Sequence, residues 1–310
     1  MTPDLLLSAL AQTLRISVPY GLAAVGGALS ERGGVINIAL EGILLLGALG
    51  YVLGAHFTGS AWAGLAAAAF TGLAVALVHA FVTVTCRADQ ITSSLGINLA
   101  ALGLSRFVLK EVFGSSSNSS RVAGLPQWHV PVLGDIPFVG PLFGNPLILL
   151  AAGLIAGAHV LLFRTPFGLR LRSTGEHPEA AATLGLSVTR LRYAALTLNG
   201  MLCGLAGSYL VLAQNAAFVP NMTAGRGFMA LAAMIFGKWH PVGAFWACLL
   251  FGFLDAAAIR LQGAPLPLVG AVPVQAIQAL PYALTVVLLA GFFGRARAPG
   301  ALGVPYVKEG

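Results

Sequence analysis

The chain has 310 residues, 57% of them hydrophobic and only 9% charged, with a mean hydropathy of +0.87. Soluble domains carry about 25% charged residues, so this composition excludes an ordinary water-soluble globule and favours a surface in contact with lipid. The balance of 17 basic to 10 acidic residues is not a nucleic-acid footprint. The Arg and Lys residues sit in short stretches between apolar runs, where they encode orientation in a membrane, and no basic run interleaved with aromatics occurs.

A hydrocarbon core about 30 Å thick takes roughly 20 apolar residues per helix. Nine runs reach or approach that length: 6–29, 34–56, 61–85, 89–112, 146–163, 193–213, 226–239, 241–262 and 272–293. The first follows the acidic Asp4 rather than a basic stretch, and it reads as a retained helix, not a cleaved signal. The run 226–239 is short for a crossing. It reads as a half-helix or re-entrant piece, which a membrane tolerates only where protein or a cavity surrounds it. Splitting or merging one run moves the count to eight or ten. The expected architecture is an all-α, polytopic integral membrane bundle forming one domain over 1–310. The 39 Gly suit it, because small residues let membrane helices approach closely. Cys86, Cys203 and Cys248 lie far apart in apolar surroundings and read as small packing residues, with no disulfide or metal spacing.

The basic loops set the orientation. The segment 164–192 carries Arg164, Arg170, Arg172, Arg190 and Arg192, and the tail 294–310 carries Arg295, Arg297 and Lys308. Both should be cytoplasmic. Counting back through the spans puts Arg87–Asp89 and Glu31–Arg32 on the same side and Met1–Asp4 outside. The longest outer connection, 113–145, is rich in Ser and Pro and reads as surface.

Within 164–192, Thr174 and Gly175 break one segment, and Pro178 suits the first turn of a new one, where its missing N–H costs nothing. Glu176 and Glu179 place negative charge at that helix N-terminus, which the macrodipole favours. Ala180, Ala181 and Ala182 are strong helix formers of little bulk, and Gly185 can end the helix. The expected product is a short, smooth helix on the basic face, suited either to a groove on another protein or to service as a plain connector.

Glu179-Ala180-Ala181 followed by Gly185 resembles the Glu-Ala-Ala-x-x-x-Gly pattern in the cytoplasmic loop of ABC importer permeases. The stretches Thr165-Pro166-Phe167-Gly168 and Gly175-Glu176-His177-Pro178-Glu179 extend the likeness, although the family usually has Asn where His177 stands. The block from Glu31 to Gly42 and the block from Gly225 to Trp239 also fit. All three resemble the permeases for branched-chain amino acids, ribose-type sugars and nucleosides. Arg87-Ala88-Asp89-Gln90-Ile91 and Gly252-Phe253-Leu254-Asp255-Ala256 look most like the nucleoside type.

This resemblance implies a coupling helix built from Gly175, Glu176, Pro178, Glu179, Ala180, Ala181 and Gly185. It implies an ABC ATP-binding subunit that grips that helix, a second and related permease, and an extracytoplasmic substrate-binding protein, all at a bacterial inner membrane. No phosphate-cradling G-x-x-x-x-G-K-[ST] motif occurs in the chain. ATP and Mg are therefore expected on the partner, with no catalytic residue, cofactor or metal on this chain.

Polar residues inside the runs are the remaining signal, since they cost energy and face a bundle interior or a cavity. Asn37, Glu41, Gln90, Asn98, Asn199, Gln214, Asn215 and Asp255 are the candidate pathway residues. Each could instead serve as a hydrogen-bonded pin between helices. Sugar or branched-chain amino acid import stays open. So does a secondary transporter in which Glu41 and Asp255 bind the coupling ion.

Overall fold

The structure, a computed structural model, describes residues 3–125, 146–213, 216–261, 265–266, 270–271, 279, 283, 286–287 and 297–307. The order is α1 (Pro3–Arg32), α2 (Leu40–Thr58), α3 (Ala61–Ala80) and α4 (Gln90–Phe113). After these come α5 (Pro146–Arg164), α6 (Pro166–Glu176), α7 (Pro178–Thr183), α8 (Val188–Ala213), α9 (Arg226–Phe236) and α10 (Pro241–Leu261). A two-residue pairing of β1 (Pro265–Leu266) with β2 (Gly270–Ala271) follows. α3 continues into a π-helical turn, Phe81–Thr85.

Local chemistry sets several boundaries. Asp89 caps α4 by accepting the Thr92 N–H at 2.7 Å, and Thr165 caps α6 by accepting the Gly168 N–H at 3.2 Å. Gly59 and Gly114 end α2 and α4 in the left-handed region, with φ of 68° and 69°. Proline opens α6 and α7 in the first turn, where it removes no helical bond.

Among the described residues, six helices are long and apolar enough to cross a membrane: α2, α3 with its π turn, α4, α5, α8 and α10. α1 has 30 residues but carries Gln12, Thr13, Arg15 and Ser17 in its first half. At about 1.5 Å per residue, the 11-residue α9 covers about half of a bilayer core, as a half-helix should. The run 272–293 lies almost wholly outside the described residues, so nine spans are not reached among them.

Two boundaries differ from the sequence expectation. α8 begins at Val188, five residues early, and takes Arg190 and Arg192 into the helix. The run expected as helix over 34–56 is not helical until Leu40. Gly34 takes φ +90°, and Asn37 turns its own side-chain oxygen onto the Ala39 N–H at 3.0 Å, so the segment 33–39 runs as irregular backbone.

α2 and α8 form the centre, each 72% buried over its apolar stretch, whereas α3, α5 and α10 are 33% buried and α4 22%. Glycine governs the central contacts. A side chain at Gly204 would strike the Ala68 carbonyl of α3, and one at Gly207 the Leu44 carbonyl of α2. Without side chains there, three backbones pack at close range, which is how helices gain dispersion contacts in a medium that gives them no hydrophobic drive.

Candidate functional site

Irregular backbone buried in a bundle must find partners inside the protein. The segment 33–39 finds them on α4 and α3. The Ile36 N–H donates to Gln90 Oε1 at 2.7 Å, and the Ile38 N–H to Ser94 Oγ at 3.2 Å. Asn98 spans the junction with α2: its Oδ1 accepts the Gly42 N–H at 2.8 Å and its Nδ2 donates to the Ile38 carbonyl at 3.1 Å. His79 completes the set, with Nε2 donating to the Ile36 carbonyl at 3.0 Å and Nδ1 3.0 Å from Ser93 Oγ. Gln90, Ser94 and Asn98 are four residues apart and share one face of α4. Ser94 and His79 escaped the list of candidate residues, although the spacing between Gln90 and Asn98 points straight at Ser94.

Glu41, in the first turn of α2, reaches the start of α9. Its Oε1 accepts the Gly225 N–H at 2.8 Å and its Oε2 the Gly227 N–H at 2.6 Å. A carboxylate belongs at a helix N-terminus, where unpaired N–H groups and the macrodipole favour negative charge. Gly227 is required at this point, because a Cβ there would collide with the Glu41 backbone, and Gly225 occupies the left-handed region at φ 82°.

Beside this junction opens a cavity of about 370 Å³, lined by Glu41, Gly42, Asn98, Asn221, Gly225 and Phe228, with Leu45, Leu95, Leu99 and Leu102 completing the wall. Its volume falls in the range of small-molecule sites. Two pathway candidates, Glu41 and Asn98, meet here. Asn221 and Phe228 were missed: neither is a buried polar residue in a long span, and only the fold turns them to the same space.

The other candidates sit elsewhere. Asn199 is fully buried and pins α8 to α1, its Nδ2 donating to Ser30 Oγ at 2.9 Å while its Oδ1 accepts from Cys203 Sγ. Asp255 of α10 accepts from the Tyr20 hydroxyl of α1 at 2.5 Å. Asn37 is fully buried in the irregular segment, with Nδ2 lacking a hydrogen-bond partner among the described residues. Gln90 serves the Ile36 backbone. Gln214 and Asn215 lie outside the described residues.

The basic segment forms two helices. α6 ends at Glu176, and after His177 the six-residue α7 carries Pro178, Glu179, Ala180 and Ala181. Gly185 then takes φ +81°, its N–H donating to the Ala182 carbonyl while the Leu186 N–H reaches the Ala181 carbonyl. This left-handed cap is the stop expected of Gly185. Ala181 faces inward at 3% exposure, while Leu184 projects at 82%; Glu179, Ala180, Thr183 and Gly185 are exposed as well.

Around α6 the chain closes a compact corner. The Gly300 N–H donates to Glu176 Oε2 at 3.0 Å and the Ala301 N–H to the Gly175 carbonyl at 2.8 Å. The Gly303 N–H reaches the Gly34 carbonyl at 3.2 Å. Arg192 bridges the Gly33 and Val304 carbonyls. Thus the end of α1, the end of α6 and the carboxyl-terminal tail share one end of the bundle. The α9–α10 turn is there too, with burial first, then His159 and Arg32, holding His240 below its ordinary range.

Comparison with known proteins places these features in a family. The sequence signature of the family described as branched-chain amino acid transport system / permease component matches residues 9–292. The guanosine ABC transporter permease protein NupQ of Bacillus subtilis (strain 168) is 41% identical over 305 residues, 96% of this chain and 95% of that one. The nucleoside ABC transporter permease protein NupC of Lactococcus lactis subsp. cremoris (strain MG1363) is 39% identical over 308 residues, 96% of each chain. A solved metal-chelate type ABC transporter in an inward-facing conformation shares the fold, with a TM-score of 0.50 at 16% identity over 90% of this chain and 84% of that one. Helix bundle, family signature and near full-length relatives agree: this chain is a membrane permease belonging to the branched-chain amino acid transport system / permease component family.

Proposed function

We propose that the chain is one half of the pore of an ATP-driven importer and that the solute it passes is a nucleoside. The observation that carries the substrate class is the state of Glu41. Both carboxylate oxygens are taken by the Gly225 and Gly227 amides, so the negative charge is matched by a helix N-terminus and not held ready for a cation. What remains on the cavity wall is the Asn221 amide, the aliphatic Leu residues and the aromatic Phe228, the last 44% exposed. A neutral solute with a flat ring and hydrogen-bonding edges suits such a lining. A zwitterionic amino acid would call for unspent charge. The same fact weighs against Glu41 as an ion-coupling site, and Asp255 is engaged by Tyr20 away from the cavity wall. The names of the guanosine and nucleoside relatives support this class.

The drive comes from outside the chain. α7 acts as the coupling helix, presenting Glu179, Ala180, Thr183 and Leu184 to an ATP-binding subunit that holds ATP and Mg. The corner that backs α7 is the cytoplasmic end, with the amino terminus outside, in a bacterial inner membrane. A second, related permease covers the cavity along α4, and a substrate-binding protein delivers solute from the far side.

The test is uptake of labelled guanosine and uridine by the complete assembly in proteoliposomes. ATP-dependent uptake of either, inhibited by unlabelled adenosine and not by ribose or leucine, is the expected result. Competition by ribose or leucine would overturn the substrate class, and uptake driven by an ion gradient without ATP would overturn the drive. Leu184→Asp, exposed and outside the bundle, is expected to cut uptake about tenfold with the chain still folded.

A further inference from the structure

α9 is held at both ends by acidic or basic side chains from other elements. Its first turn sits on Glu41 beside the cavity. Its far end is gripped by the last turn of α1. Trp239 Nε1 donates to Glu31 Oε2 at 2.6 Å, Arg32 Nε donates to the Trp239 carbonyl at 3.0 Å, and Arg32 Nη2 to the Lys238 carbonyl at 3.1 Å. The guanidinium thus satisfies two carbonyls of the turn just past the end of α9, where its positive charge also complements the macrodipole. The remaining arm of the same guanidinium, Nη1, lies 3.9 Å from Glu176 Oε1, the last residue of α6 and two residues before α7 begins. The turn being gripped is itself unusual: Lys238 and Trp239 both take positive φ, 55° and 54°, a conformation that side-chain-bearing residues adopt only when surroundings impose it.

We propose that Arg32 is the positioning residue that ties the α6–α7 loop to α9, so that movement at the loop reaches Glu41 and the cavity wall through this half-helix. The inference rests on the reading of α7 as the coupling helix. α9 packs on α1, α10 and α2 and has no long crossing of its own, so the grips at its two ends link that packing to Glu41 on one side and to Arg32 on the other. Arg32 touches neither solute nor nucleotide. It acts by fixing the distance between the loop and the Lys238–Trp239 turn.

The experiment compares wild type, Arg32→Gln, Arg32→Lys and Trp239→Phe in the full reconstituted assembly, measuring initial uptake, its KM for nucleoside, and ATP hydrolysis in the same vesicles. Arg32→Gln is expected to lower solute moved per ATP about tenfold with KM unchanged and hydrolysis retained. Arg32→Lys should recover part of the loss, since Lys keeps the charge but cannot fork between two carbonyls. Trp239→Phe, which keeps an aromatic ring but loses the bond to Glu31 and part of the buried indole, should show a smaller loss of the same kind. Uptake and hydrolysis falling in proportion in all three variants would overturn the proposal, as would unchanged solute per ATP in Arg32→Gln. If wild type itself neither hydrolyses ATP nor moves nucleoside, it is the importer reading that fails.

Discussion

Glu41 shows how much a single side chain decides in this protein. One carboxylate, carried on the first turn of α2, organises the start of α9, and in doing so leaves the cavity without free charge. Glu41→Gln keeps the length but offers one oxygen in place of two, so one of the Gly225 and Gly227 amides loses its acceptor. The expected cost is about 1–3 kcal/mol, read as a lower melting temperature of the purified chain in detergent. An unchanged melting temperature would mean that water or backbone replaces the lost bond and that the cap is dispensable. The sequence announced Glu41 and Asn98 as polar residues in apolar runs, but it could not announce their partners. The Asn98 amide is spent on Ile38 and Gly42, residues 56 to 60 positions away, and no local pattern encodes a bond of that span. Asp89 is the opposite case. Its cap on Thr92 is local and holds its carboxyl below the ordinary range, and Asp three residues before Thr is a signal visible in the chain itself.

At the scale of elements, most helices were readable because length and hydropathy fix them. Proline at the first position of α6, α7 and α10 and glycine after α2 and α4 punctuate them. The segment 33–39 misled for a physical reason. Val35, Ile36, Ile38 and Ala39 are as apolar as any helix in this chain, and only Gly33-Gly34 and Asn37 argue against one. What settles the conformation is the ladder of Gln90, Ser94, Asn98 and His79, which supplies the bonds a helix would have supplied internally. α8 carries the complementary lesson: its glycines are contact surfaces. Gly204→Leu would push α8 off Ala68 and Ala69 of α3. Overpacking of this kind costs about 1–3 kcal/mol or more, and the expected outcome is loss of a monodisperse peak on size-exclusion chromatography. Gly153 of α5, with open space around it, is the control, and Gly153→Leu should elute as wild type does.

The whole molecule is unevenly finished. Its centre, α2 and α8, is buried, whereas α4 presents Ile91, Leu95, Leu99 and Leu102 to the outside, and three of these also line the cavity. If the cavity takes solute as proposed, its apolar, outward-facing wall needs a cover, which the second permease proposed above would supply. Leu99, 71% exposed, is the most sensitive point to probe. Leu99→Arg should prevent co-purification of the second permease while the single chain keeps its helical circular dichroism. Retained pairing would move the interface to another face.

The corner that joins Gly175 to Ala301 and Gly34 to Gly303 has a consequence for biosynthesis. Its hydrogen bonds wait on residues that leave the ribosome only after every described helix has been made. A nascent chain that has reached only α10 cannot yet make these bonds, so the footing behind α7 stays unlatched until residues 300–303 have been added. A partner that grips α7, as proposed above, would therefore meet a braced helix only on a chain that has been translated past Gly303.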